Sequence, residues 1–401
     1  MYPFYRLTYL ALILVYLSNP APNPPPQPTK TPQQTPHTST TMTTHETPVT
    51  TTTTTTPSQA GVKEYATFDD MPLHQDLLRG IYSYGFERPS AIQQRAIVPL
   101  YQGGDLVAQS QSGSGKTGAF AIGLLSRINF ARRQVQGLVL SPTRELTVQT
   151  HAVISNIGSY LAGESGPAFC ELFVGGTNVQ HDLIKSGYVI AVGTPGRVCD
   201  LLKRGALRTQ SMVTLVLDEA DEMLSQGFNE QLLSVFRAVP RDIQVALFSA
   251  TMPPDVLAVT NKFMREPTRI LVQVADVPLK DIKQCQVMLT EEEKLVALMD
   301  LYETASVAQS VIFANTIQKV VYITEQLTSN NFAVASTHSG MSSAERSRVM
   351  DSFRAGSSRV LVTTDLNARG LDVIHVNIVI NFDLPSNKEN YLHRIGRGGR
   401  Y

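Results

Sequence analysis

Lys116 and Thr117 close a run of small residues, Ala108-Gln109-Ser110-Gln111-Ser112-Gly113-Ser114-Gly115-Lys116-Thr117, and a domain's width later comes Asp218-Glu219-Ala220-Asp221. Gly113 and Gly115, with Ser112 and Ser114, let backbone N–H groups close around phosphate oxygens. A helix starting at the lysine then points its positive end at them. In such a loop the lysine reaches the β- and γ-phosphates, and the Thr117 hydroxyl can hold Mg2+. Asp218 follows a mostly apolar run, 213–217, that reads as a buried strand. A carboxylate at the end of such a strand faces the ligand crevice of an open α/β sheet. Phosphate loop and strand-end carboxylates together point to hydrolysis of a nucleoside triphosphate. Ser110 stands where the common form of the loop has glycine.

The elements around these residues alternate. Leu106–Ala108, Gly137–Leu140, Leu172–Val174, Val189–Val192, Val213–Leu217 and Val245–Phe248 read as short strands, with helices such as Gly118–Ile128 and Leu146–Ile157 between them. A second series follows, with strands Gln284–Leu289, Ser310–Phe313, Ala333–Ser336, Val360–Val362 and Ile378–Asn381 and helices Glu291–Tyr302 and Ile317–Leu327. This is the pattern of crossover units around mainly parallel sheets. The expected organisation is α/β: a first domain over 61–273, a linker at 274–282 and a second domain over 283–401. Only the first carries a phosphate loop.

The 401 residues suffice for two or three domains, and a formal net charge of +0 leaves no broad basic field. Contact with nucleic acid must then use local patches. Three widely spaced cysteines, Cys170, Cys199 and Cys285, suit neither a disulfide framework nor a zinc site, so a reducing compartment is expected. Residues 1–60 differ from the rest. Leu7–Leu17 is apolar but far short of the ~20 residues of a membrane helix. Proline- and threonine-rich runs follow, which cannot bury a core. A low-complexity, disordered tail that adds nothing to catalysis is expected, without membrane contact; a secretory signal is the alternative.

Further motifs carry a resemblance. Gly85-Phe86-Glu87-Arg88-Pro89-Ser90-Ala91-Ile92-Gln93-Gln94, Pro142-Thr143-Arg144-Glu145-Leu146, Gly175-Gly176, Thr194-Pro195-Gly196-Arg197, Ser249-Ala250-Thr251, Val311–Thr316, Thr363-Thr364-Asp365, Ala368-Arg369-Gly370-Leu371-Asp372 and His393–Arg400 occur in that order. From about Phe68 to Tyr401 the chain resembles DEAD-box ATP-dependent RNA helicases, especially the initiation factor 4A type. The resemblance implies two tandem RecA-like domains. It implies ATP and Mg2+ as cofactors, with Phe68 stacking on the base, Gln93 reading the adenine edge and Asp372 on the ribose side. Thr117 and Asp218 would hold Mg2+, Glu219 would activate water, and Arg397 and Arg400 would act as arginine fingers across the domain interface. Thr143, Arg144, Gly176, Thr194, Arg197, Arg346 and Thr364 would grip the backbone of single-stranded RNA without sequence specificity. Asp221, Ser249, Thr251 and His393 would couple nucleotide to RNA. Two departures stand out: Ser343 three residues before Arg346, where the family often has Gln, and Asn367 in place of an apolar residue.

The implied activity is local RNA unwinding in translation initiation, by a monomer with a scaffold protein of the initiation machinery, in the cytoplasm or also the nucleus. An RNA clamp of the exon-junction type shares all these motifs and stays open. The family continues past the motif that ends at Arg400, so an incomplete second domain with an exposed sheet edge is also expected.

Overall fold

A computed structural model describes residues 10–17, 62–162, 169–176, 187–225, 227–271, 282–304, 307–365 and 376–396. They form two α/β domains. The first holds a seven-stranded sheet made of β2 (Leu106–Gln109), β3 (Gly137–Leu140), β4 (Cys170–Phe173), β5 (Ile190–Gly193), β6 (Thr214–Leu217), β7 (Gln244–Ser249) and β8 (Thr268–Leu271). The spatial order is β4-β5-β3-β6-β7-β2-β8, and every pairing is parallel. Strands β3, β5, β6 and β7 are buried along their whole length, as apolar runs covered on both faces must be. All six strands read from the sequence in this domain are present. β8, with Arg269 interrupting its short apolar pattern, was not foreseen.

That order decides where the chemistry sits. β6, β7 and β2 are neighbours, with Gln109 opposite Ser249 and Leu217 opposite Leu247. The segments after them, which carry the phosphate loop, Ser249-Ala250-Thr251 and Asp218-Glu219, therefore emerge side by side. β4, β5 and β3 form the other half, with Gly193 opposite both Phe173 and Leu140. Gly175-Gly176, Thr194 and Thr143-Arg144 emerge there. One carboxyl edge is thus split into a half that carries the residues expected at the nucleotide and a half that carries those expected at RNA, meeting where β3 adjoins β6.

The second sheet contains β9 (Ile282–Leu289), β10 (Gln309–Phe313), β11 (Val334–Thr337), β12 (Val360–Thr363) and β13 (Val376–Asn381). β11-β12-β10-β13 are parallel. The sixth strand, β1, is Leu10–Leu17. It lies antiparallel between β13 and β9, pairing Ile13–Tyr16 with Ile378–Asn381 and Leu10–Leu17 with Ile282–Leu289. The expected disordered tail is corrected for these residues. Their apolar, β-branched composition suits a strand once two partners flank it. Nothing in the residues themselves points to those partners, which belong to the second domain. The rest of the tail, residues 274–281 of the expected linker, and Asp372, Arg397 and Arg400 lie outside the described residues, while Ile282, placed in that linker, opens β9. No helix among the described residues is long and apolar enough to cross a membrane.

Candidate functional site

The phosphate loop needs its glycines. Gly113 and Gly115 have φ of 81° and 92°, the left-handed region that glycine enters without a Cβ penalty. Gly115 caps the helix Lys116–Arg127, and a Cβ on it would lie 2.8 Å from Gln93 Nε2 and 3.0 Å from Ser90 Oγ. Lys116 is 6% exposed; its ammonium donates to the carbonyls of Ser110 at 2.9 Å and Gln111 at 3.1 Å. The Ser110 and Ser114 hydroxyls are hydrogen-bonded to each other. Ser112, Gly113, Ser114 and Thr117 are half-buried around the same loop.

Gln93 sits behind it. Its Oε1 accepts from the Ser90 amide at 2.9 Å, closing a capping box at the start of the helix Ala91–Gln102. Its Nε2 donates to the Gly115 carbonyl at 3.2 Å. The amide therefore braces the phosphate loop. A Cβ on Gly118 would lie 2.6 Å from Gln93 Nε2 and 2.8 Å from Phe86 Cε2, so a bare helix face is needed there. Phe68 is fully buried, stacked on Phe86 at a 6.4 Å centroid separation and edge-on to Tyr82. In the structure it packs as part of the first domain's core. Phe86, half-buried and adjoining Gly118, is the aromatic nearer the loop, and sequence reasoning missed it.

Asp218 and Glu219 are 2% and 6% exposed. The Glu219 amide donates to Asp218 Oδ1 at 3.0 Å, and Glu219 has a φ of 46°. A non-glycine residue held left-handed costs on the order of 1–2 kcal/mol, and such strain clusters at functional sites. Asp218 Oδ2 is buried with no hydrogen-bond partner in the structure. Burial, and then the neighbouring Glu219 carboxylate, push the Asp218 carboxyl up to about 8, with Lys116 pulling the other way. An orphaned carboxylate oxygen on the residue that Lys116 faces suits a hard divalent cation, whose ligands are oxygens.

Behind them runs a hydrogen-bonded chain. Thr251 Oγ1 donates to Asp221 Oδ2 at 2.6 Å, and Ser249 Oγ donates to the Thr251 carbonyl at 2.7 Å. The Ser249 carbonyl accepts from the Ser110 amide at 3.2 Å. From the second domain, the fully buried His393 puts Nε2 3.3 Å from Asp221 Oδ2 and Nδ1 2.9 Å from Ser112 Oγ. All four residues read as coupling groups are thus joined. Ser112, assigned only to phosphate, is also one of their partners.

On the other half of the edge, Thr143 caps the helix Arg144–Ile157 through Leu146 at 3.3 Å, and Arg144 donates to the Gly175 carbonyl. Gly176 has a φ of 82°. Thr194 precedes the helix Pro195–Lys203, where Arg197 lies 3.4 Å from Asp200. Arg346 lies 3.5 Å from Glu145 across the domain boundary. Thr364, half-buried, follows β12. The Arg346–Glu145 contact brings one of the RNA-assigned groups of the second domain against the helix that follows Thr143.

The fold and site define a class: a two-domain P-loop motor with nucleotide groups from one domain closed by a histidine from the other. The DEAD/DEAH box helicase profile matches residues 90–259, and the helicase conserved C-terminal domain profile matches 293–401. The chain is 66% identical over 345 residues to a "Probable eukaryotic initiation factor 4A" of Trypanosoma brucei brucei, covering 86% of this chain and 85% of that one. It is 53% identical over 340 residues to "Eukaryotic initiation factor 4A" of Drosophila melanogaster, covering 84% and 83%. In fold it is similar to S. cerevisiae Dbp5 bound to RNA and ADP BeF3. The TM-score is 0.76 at 35% identity, covering 84% of this chain and 87% of that one. The chain belongs to the DEAD/DEAH box helicases.

Proposed function

We propose that this chain is an ATP-dependent RNA helicase that hydrolyses ATP between its two domains and locally separates RNA strands in translation initiation. The observation that carries the reading is the chain Ser112–His393–Asp221–Thr251. It ties the phosphate loop, the carboxylates and both domains into one network. The names of the relatives support initiation as the setting.

Phosphoryl transfer needs positioning and charge stabilisation more than covalent chemistry. Lys116 exchanges its two carbonyl partners for phosphate oxygens when nucleotide enters. Thr117 and Asp218 would hold Mg2+, which supplies charge neutralisation at the phosphates when bound. Glu219 orients the attacking water and takes its proton. Arg397 and Arg400 stabilise the developing charge from the second domain, which is worth ~10³–10⁵ in rate for such fingers. Hydrolysis therefore waits for the domains to close. RNA across the Thr143, Arg144, Gly176, Thr194, Arg197, Arg346 and Thr364 surface favours the same closed state, so ATP and RNA strengthen each other's binding. Backbone contacts of this kind position a strand without reading its sequence. The protein acts as a cytoplasmic monomer alongside a scaffold protein of the initiation machinery.

The test is ATP hydrolysis measured with single-stranded RNA, matched single-stranded DNA, and neither. Stimulation by RNA alone is expected. Hydrolysis indifferent to RNA, or equal stimulation by DNA, would remove the reading.

A further inference from the structure

The structure assigns Arg394 a positioning role. It is the buried peg that fixes the helix carrying His393 to the second domain and so sets how that histidine meets the ATP site. This rests on the proposed ATPase reading and adds a residue to it.

Arg394 lies in the last turn of the helix Lys388–Ile395 and is fully buried. A buried guanidinium is costly unless every donor is satisfied. Here the donors are spread over three separate strand ends. β10, β12 and β13 end in register, with Phe313 opposite both Thr363 and Asn381. Two residues beyond each end lie Asn315, Asp365 and Asp383. Arg394 Nε donates to Asp365 Oδ1 at 2.5 Å and Nη2 to Asn315 Oδ1 at 2.8 Å. Nη1 donates to the Asp383 carbonyl at 2.7 Å and to Asn381 Oδ1 at 3.2 Å. Its guanidinium carbon lies 5.2 Å from the centroid of the Phe313 ring. One side chain thus reads the relative placement of three strand ends, something a lysine's single ammonium cannot do.

The helix is gripped a second time. Asn390 Nδ2 donates to Asp365 Oδ2 at 3.2 Å, so one carboxylate holds positions four residues apart. These two grips fix the helix's rotation and height. The residue next to the peg is His393, whose ring spans Ser112 and Asp221 of the first domain. A helix rotated or shifted by an ångström would pull that ring off both partners, and misplacement of this size is worth ~100-fold in rate.

The test uses the full chain with two variants, Arg394→Lys and Asp365→Asn, the second leaving the buried arginine in place. Both are also made in a His393→Ala background. For each, kcat and KM for ATP are measured at saturating RNA, with thermal unfolding alongside. The expected result is a kcat lowered by ~10- to 100-fold with KM for ATP changed by less than ~3-fold. In the His393→Ala background the same substitutions should cost far less, because the group they position is gone. Full multiplication of the two effects would overturn the assignment, as would parental kcat in both variants or a loss that merely follows the unfolded fraction. If the parent itself shows no RNA-stimulated hydrolysis, it is the ATPase reading that fails.

Discussion

Glu219 concentrates the chemistry of the site into one strained residue, with a left-handed backbone, its amide tied to Asp218 and its side chain buried. Glu219→Gln keeps the shape and removes only the carboxylate proposed as the base, so ATP and RNA binding should persist while hydrolysis falls by ~10²–10⁴. Single-turnover hydrolysis set against nucleotide binding checks this, and turnover near the parental rate would give the proton to another group. Lys116→Ala should instead weaken nucleotide binding itself. Asp218 adds a pH dependence, because its carboxyl is pushed up to about 8 by burial and then by Glu219. Between about pH 4 and pH 8 the unfolded chain has released this proton and the folded protein has not, so rising pH lowers the stability of the metal-free protein. The proposed Mg2+ site would need the ionised carboxylate, so stabilisation by Mg2+ should grow over the upper part of the same window. Melting temperatures with and without Mg2+ at about pH 6 and pH 8 test the sign. Asp218→Asn should abolish the difference between the two. At this scale the residue types were legible in the sequence, but their conformations were not. Nothing in Asp218-Glu219-Ala220-Asp221 shows a positive φ, and nothing in the glutamine motif shows that Gln93 spends its amide on Ser90 and Gly115.

Most strands of the first domain were legible because they are short apolar runs buried along their length, as β3, β5, β6 and β7 are, and such runs need no knowledge of their neighbours. Their order was not, and order is what places the segments after β2, β6 and β7 together. Helix packing shows the same division. The helix Gln75–Ser83 crosses the helix Arg144–Ile157 at Gly80, where a Cβ would lie 1.9 Å from the Ile157 carbonyl oxygen. Gly80→Ala has two opposed effects. Alanine favours the helix by ~1 kcal/mol over glycine. Overpacking costs ~1–3 kcal/mol, at the upper end where the obstacle is backbone and no rotamer can yield. The clash should win, leaving the first domain less stable by ~1–2 kcal/mol. Urea unfolding of the variant measures this; an equal or higher midpoint would mean the helices separate freely at that crossing. The sequence shows only a glycine inside an amphipathic segment, which by propensity alone looks like a site for improvement.

Across the whole molecule, β1 joins a segment near the start of the sequence to the sheet of the second domain. Residues followed by proline and threonine tracts read as part of an unstructured tail, because a strand's pairing energy lies in its partners and those partners are β9 and β13. Among the described residues, β9 reaches the rest of its sheet only through β1. The exposed edge expected of the second domain is, at β13, covered by this strand. The sequence-based expectation that the tail is dispensable therefore becomes a sharper question. Each backbone hydrogen bond is worth ~0.5–1.5 kcal/mol net, and β1 is paired on both sides, so its removal should cost the second domain on the order of several kcal/mol. Two further effects follow from the topology: β9 loses its attachment, and β13 becomes an open edge prone to pairing between molecules. A chain beginning at Met42 should keep the unfolding transition of its first domain, lose stability in its second, and exchange amide hydrogens faster along β9 and β13. RNA-stimulated hydrolysis should fall with it, because the helix that presents His393 rests on the same sheet. Unchanged exchange along β9 in the shortened chain would show that the strand contributes nothing to the domain.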